Sequence, residues 1–180
     1  TWVGLIILLG ITAMVLAYFA FPHVEKRIDR FLDPASGDNY QVDRAMEAFM
    51  NGGLFGRGPG EGTAKAYLPD AHSDFILAVA GEEFGLIACL ILVALFAFIV
   101  LRGLIRVLKD QNLFIVLAAA GLLVQFALQA IINMASTIAL MPTKGMTLPF
   151  ISYGGSSLLA LAFGMGMLLA LTRRRSGGTE

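Results

Sequence analysis

FGLIACLILVALFAFIVL, Phe84 to Leu101, is an uninterrupted apolar run with no charged residue. At 1.5 Å per helical residue it covers about 27 Å, close to the ~30 Å hydrocarbon core of a bilayer. Three other segments read the same way. Trp2 to Phe21 carries no charge. Leu113 to Leu140 carries Gln125, Gln129 and Asn133 as its strongly polar groups, and Ser156 to Leu171 is shorter and rich in small residues. The composition agrees: 57% of the 180 residues are hydrophobic and 14% are charged, against roughly 25% charged in a soluble domain. The predicted fold class is an all-α integral membrane protein, a polytopic helical bundle with four transmembrane helices and one large extracytoplasmic loop.

The spans are expected at residues 1–21, 74–101, 113–140 and 156–172. The segments between them are an outer loop (22–73), a cytoplasmic loop (102–112), a second outer loop (141–155) and a cytoplasmic tail (173–180). The orientation rests on basic residues. Arg102, Arg106 and Lys109 fill the short loop, and Arg173, Arg174 and Arg175 fill the tail. In the long loop, acidic residues offset Lys26, Arg27 and Arg30. Net charge is zero, so no nucleic-acid footprint is present. The one cysteine, Cys89, lies in an apolar run and reads as a small buried or lipid-facing residue. The chain opens inside an apolar run without a basic n-region, which argues against a signal peptide and for a piece of a longer membrane protein.

The long loop contains DRAMEAFM, Asp43 to Met50, where Met46, Phe49 and Met50 share one helical face. This predicts an interfacial amphipathic helix. GGLFGRGPGEG follows from Gly52. It fits neither a phosphate loop nor a dinucleotide fingerprint. It reads as a flexible turn region, re-entrant or lid-like.

Several polar residues can carry chemistry. In LPDAHSDFILAVAGEEFG, Pro69 stops any earlier helix and Asp70 or Ser73 can cap a new one. Asp74 then falls in the first turn. There it serves either as a capping carboxylate at the helix dipole or as a general base facing an outward cavity. Glu82 and Glu83 lie further along, lining a site or remaining interfacial. His72 is a second candidate base, or a loop histidine making an ordinary hydrogen bond. Gln129 and Asn133, four apart, share a helix face; they bind helices together or line a polar cavity.

MPTKGMTLPFISYGGSS, Met141 to Ser157, is polar and punctuated by Gly and Pro between two apolar segments. Such backbone is tolerated at membrane depth only where protein or a water-filled cavity satisfies it. Lys144 is a candidate anchor for a phosphate. Ser152, Tyr153, Gly154 and Gly155 add hydroxyls and approachable backbone N–H groups at the start of a helix. Gly164 and Gly166 read as helix packing. A carboxylate, a cation and an anion-binding turn at one membrane face suit a lipid-linked phosphate substrate. No metal-ligand cluster is evident.

This closing motif resembles the SEDS family (shape, elongation, division and sporulation proteins), and most closely its cell-division member. The resemblance extends through RFLDP (Arg30 to Pro34), NYQ (Asn39 to Gln41), GGLFGRG (Gly52 to Gly58), YLPDAHSDFILAVAGEEFG (Tyr67 to Gly85) and QAIINM (Gln129 to Met134). PTKG, Pro142 to Gly145, resembles division and sporulation members more than the elongation member. The resemblance implies the last four of ten spans. It also implies peptidoglycan glycosyltransferase activity on lipid II at the division septum of the bacterial inner membrane, beside a class B penicillin-binding protein and other divisome membrane proteins. The family's catalytic aspartate maps to Asp74, with Lys144 or a divalent cation (Mg or Mn) stabilising the diphosphate; no organic cofactor is implied. At Ser73 the family more often has Thr, and the hydroxyl is kept. Without the first six spans the fragment is expected to be inactive. A lipid II flippase and a non-catalytic divisome scaffold are the competing readings.

Overall fold

The computed structural model describes residues 2–32, 40–142 and 144–173. Arg174 and Arg175 of the basic tail, Asp33 and Pro34 of RFLDP, and Asn39 of NYQ lie outside the described residues. Among the described residues the chain is all-α: α1 (Trp2–Ala20), α2 (Pro22–Leu32), α3 (Tyr40–Gly52), α4 (Ala64–Tyr67), α5 (Ile76–Val107), α6 (Leu113–Thr137) and α7 (Gly155–Thr172). Helices α1, α5, α6 and α7 are long and apolar enough to cross a bilayer, so the chain is a multi-pass membrane protein.

The chain divides into two units, residues 1–40 and 41–180. In the first, Pro22 occupies the opening position of α2, where its missing N–H costs nothing. The Tyr18 hydroxyl of α1 donates to Asp29 Oδ1 of α2 at 2.9 Å.

In the second unit, α6 packs against both α5 and α7. Phe96, Phe126, Ala130 and Leu148 form one buried cluster, and Val107, Ala119, Leu123 and Leu168 form another toward the far end. Helix α5 continues past the expected end at Leu101 to Val107. Arg106 then sits in its last turn, where a cation complements the helix dipole. The loop expected over 102–112 therefore shrinks to 108–112, and the Asn112 side chain caps α6 by accepting the Phe114 N–H at 3.0 Å. Helix α6 ends at Thr137, short of the expected Leu140, and Ala139 takes a positive φ of 61° just beyond it.

Of two sequence expectations for the long loop, the helix forms and the glycine-rich turn needs correction. Helix α3 forms, but its buried face is Ala45, Ala48 and Gly52, with Phe49 packed alongside. Met46 and Met50 are exposed. The small face wins because α3 meets α5 backbone to backbone: a Cβ on Gly52 would collide with the Gly81 carbonyl. The glycine-rich segment is not a free turn either. Helix α5 breaks at Gly85, whose φ is 80° and ψ is 179°. The break releases backbone groups, and residues 53–58 take them up. The Glu82 and Glu83 carbonyls accept the Arg57 and Gly58 N–H groups at 2.9 and 3.0 Å. The Leu86 and Ile87 N–H groups reach the Gly53 and Leu54 carbonyls at 2.9 and 3.3 Å. The backbone freed by a break in an apolar helix is thus satisfied by protein.

Candidate functional site

The site gathers where the N-terminal ends of α5 and α7 meet the C-terminal end of α6. Asp74 sits in a turn just before α5, not in its first turn. Phe75 occupies the N-cap without a side-chain bond, so neither Asp70 nor Ser73 caps the helix as expected. The Asp70 carbonyl instead gathers the N–H groups of Ser73 and Asp74 at 3.1 and 3.0 Å, with Asp70 itself at a φ of 54°. This wound turn projects Asp74 clear of the helix ladder. Its carboxylate is half-buried. Burial and the neighbouring Asp70 charge raise its pKa, and the Ser73 hydroxyl partly opposes the rise.

Asn133 ties Asp74 to the second loop. Its Nδ2 donates to the Asp74 carbonyl at 2.9 Å and to the Met146 carbonyl at 2.6 Å. The side chain is fully buried, and its Oδ1 has no hydrogen-bond partner among the described residues. One amide thus joins α6, the Asp74 turn and the segment after Lys144. Gly145 lies beside the carboxylate: a Cβ there would stand 3.4 Å from Asp74 Oδ2.

One turn back along α6, Gln129 Nε2 faces the Thr147 carbonyl at 3.0 Å, Thr147 Oγ1 at 3.2 Å and Ser157 Oγ at 3.2 Å. The two hydroxyls share a hydrogen bond of 2.6 Å. Gln129 therefore fastens the loop to α7. Beside it, a groove of about 170 Å³ runs between α6 and α7, lined by Gln125, Gln129 and Ser157 among apolar neighbours that include Phe126, Leu161 and Met165.

The loop between α6 and α7 makes its own tight turn. Phe150 adopts a φ of 61°, Ser152 Oγ accepts the Leu148 N–H at 2.8 Å, and Leu148 and Pro149 are fully buried. The Tyr153 N–H donates to the His72 carbonyl at 2.8 Å, which brings the Ser-Tyr-Gly-Gly turn against the Asp74 turn. Gly154 and Gly155 then open α7, with open space around the Gly155 Cα.

The structure thus brings together Asp74, Asn133, Gln129, Ser152, Tyr153, Gly154 and Gly155, with Lys144 exposed on the same loop. His72 joins through its carbonyl, and its exposed side chain plays no part in that contact. Glu82 and Glu83 point elsewhere: their carboxylates bind the long loop through Ala64, Thr63 and Lys65. Sequence reasoning did not single out Thr147. The i, i+4 amides signalled that buried polar partners existed without saying which. Among the described residues no group of three or more His, Cys, Asp or Glu could hold a metal ion.

Comparison with known proteins agrees with this architecture. A family model described as cell cycle protein, covering FtsW, RodA and SpoVE, matches residues 1–177. A probable peptidoglycan glycosyltransferase FtsW from Caulobacter vibrioides is 55% identical over 160 residues, covering 89% of this chain and 41% of the relative. One of the same description from Geobacter sulfurreducens is 42% identical over 179 residues, covering 96% of this chain and 48% of the relative. The chain therefore spans less than half the length of these curated relatives. A solved structure described as "Structural coordination of polymerization and crosslinking by a peptidoglycan synthase complex" shares the fold. Its TM-score is 0.69 at 24% identity, over 96% of this chain and 48% of that one. The chain belongs to the FtsW/RodA/SpoVE family of cell cycle proteins, the SEDS family that its motifs resemble.

Proposed function

We propose that the whole protein is a peptidoglycan glycosyltransferase that polymerises lipid II into glycan strands during septal cell-wall synthesis, beside a class B penicillin-binding protein. The observation that carries this reading is the Asn133 clamp. It holds the Asp74 turn and the segment after Lys144 on one amide, with Asp74 Oδ2 beside Gly145.

In this reading a hydroxyl of the acceptor sugar attacks the anomeric carbon of the donor. The new C–O bond forms as the bond to the lipid diphosphate breaks. Asp74 takes the hydroxyl proton and later releases it to water. A half-buried carboxylate whose pKa is raised by burial and by the Asp70 charge is a stronger base than an exposed one. Diphosphate is a good leaving group and needs its charge balanced more than it needs a proton. Lys144 and the N–H groups that open α7 at Gly155 supply that balance. The groove between α6 and α7 suits the apolar carrier.

A flippase would need free polar groups at mid-membrane depth. Gln129 and Asn133 instead use their amide donors on the second loop. The test is lipid II polymerisation by the full-length protein with its penicillin-binding partner, whose crosslinking site is disabled. Strands from the wild type and none from a folded, partner-bound Asp74→Asn variant are expected. Equal strand formation by both would remove Asp74 from the chemistry, and none from either would favour translocation or scaffolding.

A further inference from the structure

Glu82 is fully buried inside a membrane-spanning helix. A carboxylate in that setting persists only when its oxygens are well partnered. Its partners all come from the long loop. Oε2 accepts the Ala64 N–H at 2.8 Å, Oε1 accepts the Thr63 hydroxyl at 3.1 Å, and Arg57 Nη1 stands 3.7 Å from Oε1. The backbone of the same residue accepts the Arg57 N–H. Glu83 repeats the pattern one residue on: its carbonyl takes the Gly58 N–H, and its carboxylate pairs with Lys65 at 2.8 Å. Two lengths of loop, 53–58 and 63–65, are thereby fastened to the break at Gly85.

The second length leads to Asp74. Ala64, Leu68 and Ala71 are buried against Phe75 and Ala78, with Ala45 and Ala48 of α3 in the same cluster. Phe75 adjoins Asp74 in the chain. A continuous packed path therefore runs from the Glu82 carboxylate through Ala64, Leu68 and Ala71 to the residue beside the carboxylate at the site. The loop lies close against the start of this path: a Cβ on Gly62 would stand 2.9 Å from Glu82 Oε2. Cβ atoms on Gly56 and Gly81 would meet the Glu83 carbonyl and the Phe49 ring.

We infer that Glu82 is a positioning residue for Asp74, acting as a latch that holds residues 53–75 of the outer loop against α5. The inference rests on the proposed role of Asp74 in glycosyl transfer. It assigns to Glu82 a task remote from the substrate.

The test compares wild type, Glu82→Gln and Thr63→Val in the full-length protein with its partner, by two measurements. The first is backbone hydrogen exchange over residues 53–75. Glu82→Gln should speed exchange at Ala64 by at least about tenfold, because the carboxyl oxygen that accepts its N–H is replaced. The second is polymerisation kinetics. Glu82→Gln should lower kcat about tenfold with KM within about twofold, the signature of a group that orients chemistry and not substrate binding. Thr63→Val, which removes one hydroxyl, should show the same split at about threefold. It also serves if Glu82→Gln does not fold. Unchanged exchange in the folded variant would remove the latch. Faster exchange with wild-type kcat, or a rise in KM alone, would remove its link to Asp74. Failure of the underlying function is seen separately, as Asp74→Asn matching the wild type.

Discussion

Replacing Asn133 by Leu separates stability from turnover, and the structure sets both magnitudes. The Nδ2 group makes two hydrogen bonds, at 2.9 and 2.6 Å, to carbonyls on different segments. Side-chain hydrogen bonds between membrane helices average about 0.6 kcal/mol and reach about 1.7 kcal/mol, so losing two costs roughly 1–3 kcal/mol. The same change removes the buried Oδ1 that has no partner among the described residues. Relieving such a group returns on the order of 1 kcal/mol. The net stability loss is then about 2 kcal/mol or less. Turnover should fall much further. With the clamp gone, Asp74 and the Lys144 loop are free to separate, and a displacement of about 1 Å costs on the order of 100-fold. Asn133→Asp is closer in shape, yet it should be the less stable protein, because an oxygen then faces two carbonyl oxygens. Thermal unfolding of the full-length protein in detergent, run beside the polymerisation assay, reads both quantities. The reasoning fails if Asn133→Leu keeps turnover within about threefold of wild type, or if Asn133→Asp unfolds at the wild-type temperature.

The remaining predictions concern pH, backbone strain and charge. The Asp70 charge raises the Asp74 pKa, so Asp70→Asn should lower it and carry the acid limb of kcat/KM to lower pH. Asn tolerates the positive φ at this position as Asp does, and an acid limb that stays in place or moves upward would contradict the assignment. Gly85→Ala places a Cβ at a φ of 80° and into the Leu54 carbonyl, so it should cost at least about 1–3 kcal/mol. An unchanged unfolding temperature would mean that the break in α5 is not as described. Lys144→Gln should raise KM for lipid II about tenfold, with Lys144→Arg near wild type; equal KM in all three proteins would end its role as an anion anchor.

The four long helices were legible because uninterrupted apolar runs such as Phe84 to Leu101 have few alternatives in a membrane protein. The convergence of Asp74 with the loop after Met141 was also legible, since two spans, α5 and α6, lie between them and an even number returns the chain to the same face. The break at Gly85 was not. A lone glycine in an apolar run reads as helix packing, and only the backbone of residues 53–58 lying against it shows why φ must be positive there. The partners of Glu82 and Glu83 were hidden for a related reason. Sequence places them near the site in helical position, but their partners, Thr63, Ala64 and Lys65, lie 18 or 19 residues earlier on a loop whose course depends on that break. The other side of α3 was not legible, because hydrophobic size drew attention to Met46 and Met50, whereas the close backbone contact with α5 selects alanine and glycine.

What the sequence left hidden has one physical origin, and it bears on how the site stays in register. A membrane helix that breaks must return its freed N–H and C=O groups to protein. At Gly85 the return is made by loop backbone, which is possible only because glycines at 52, 56, 81 and 85 remove the side chains that would hold the two backbones apart. At the other end of the site, the second loop is held by side chains instead: Asn133 and Gln129 project from an unbroken α6 and supply donors to the Asp74, Met146 and Thr147 carbonyls. Asp74 stands between the two fastenings. Backbone pairing fixes the loop on one side of it, and two amides fix the loop on the other. A carboxylate held by both can remain half-buried beside a like charge without swinging out to water. In the proposed glycosyl transfer, that is the condition under which Asp74 would take the proton of the acceptor sugar.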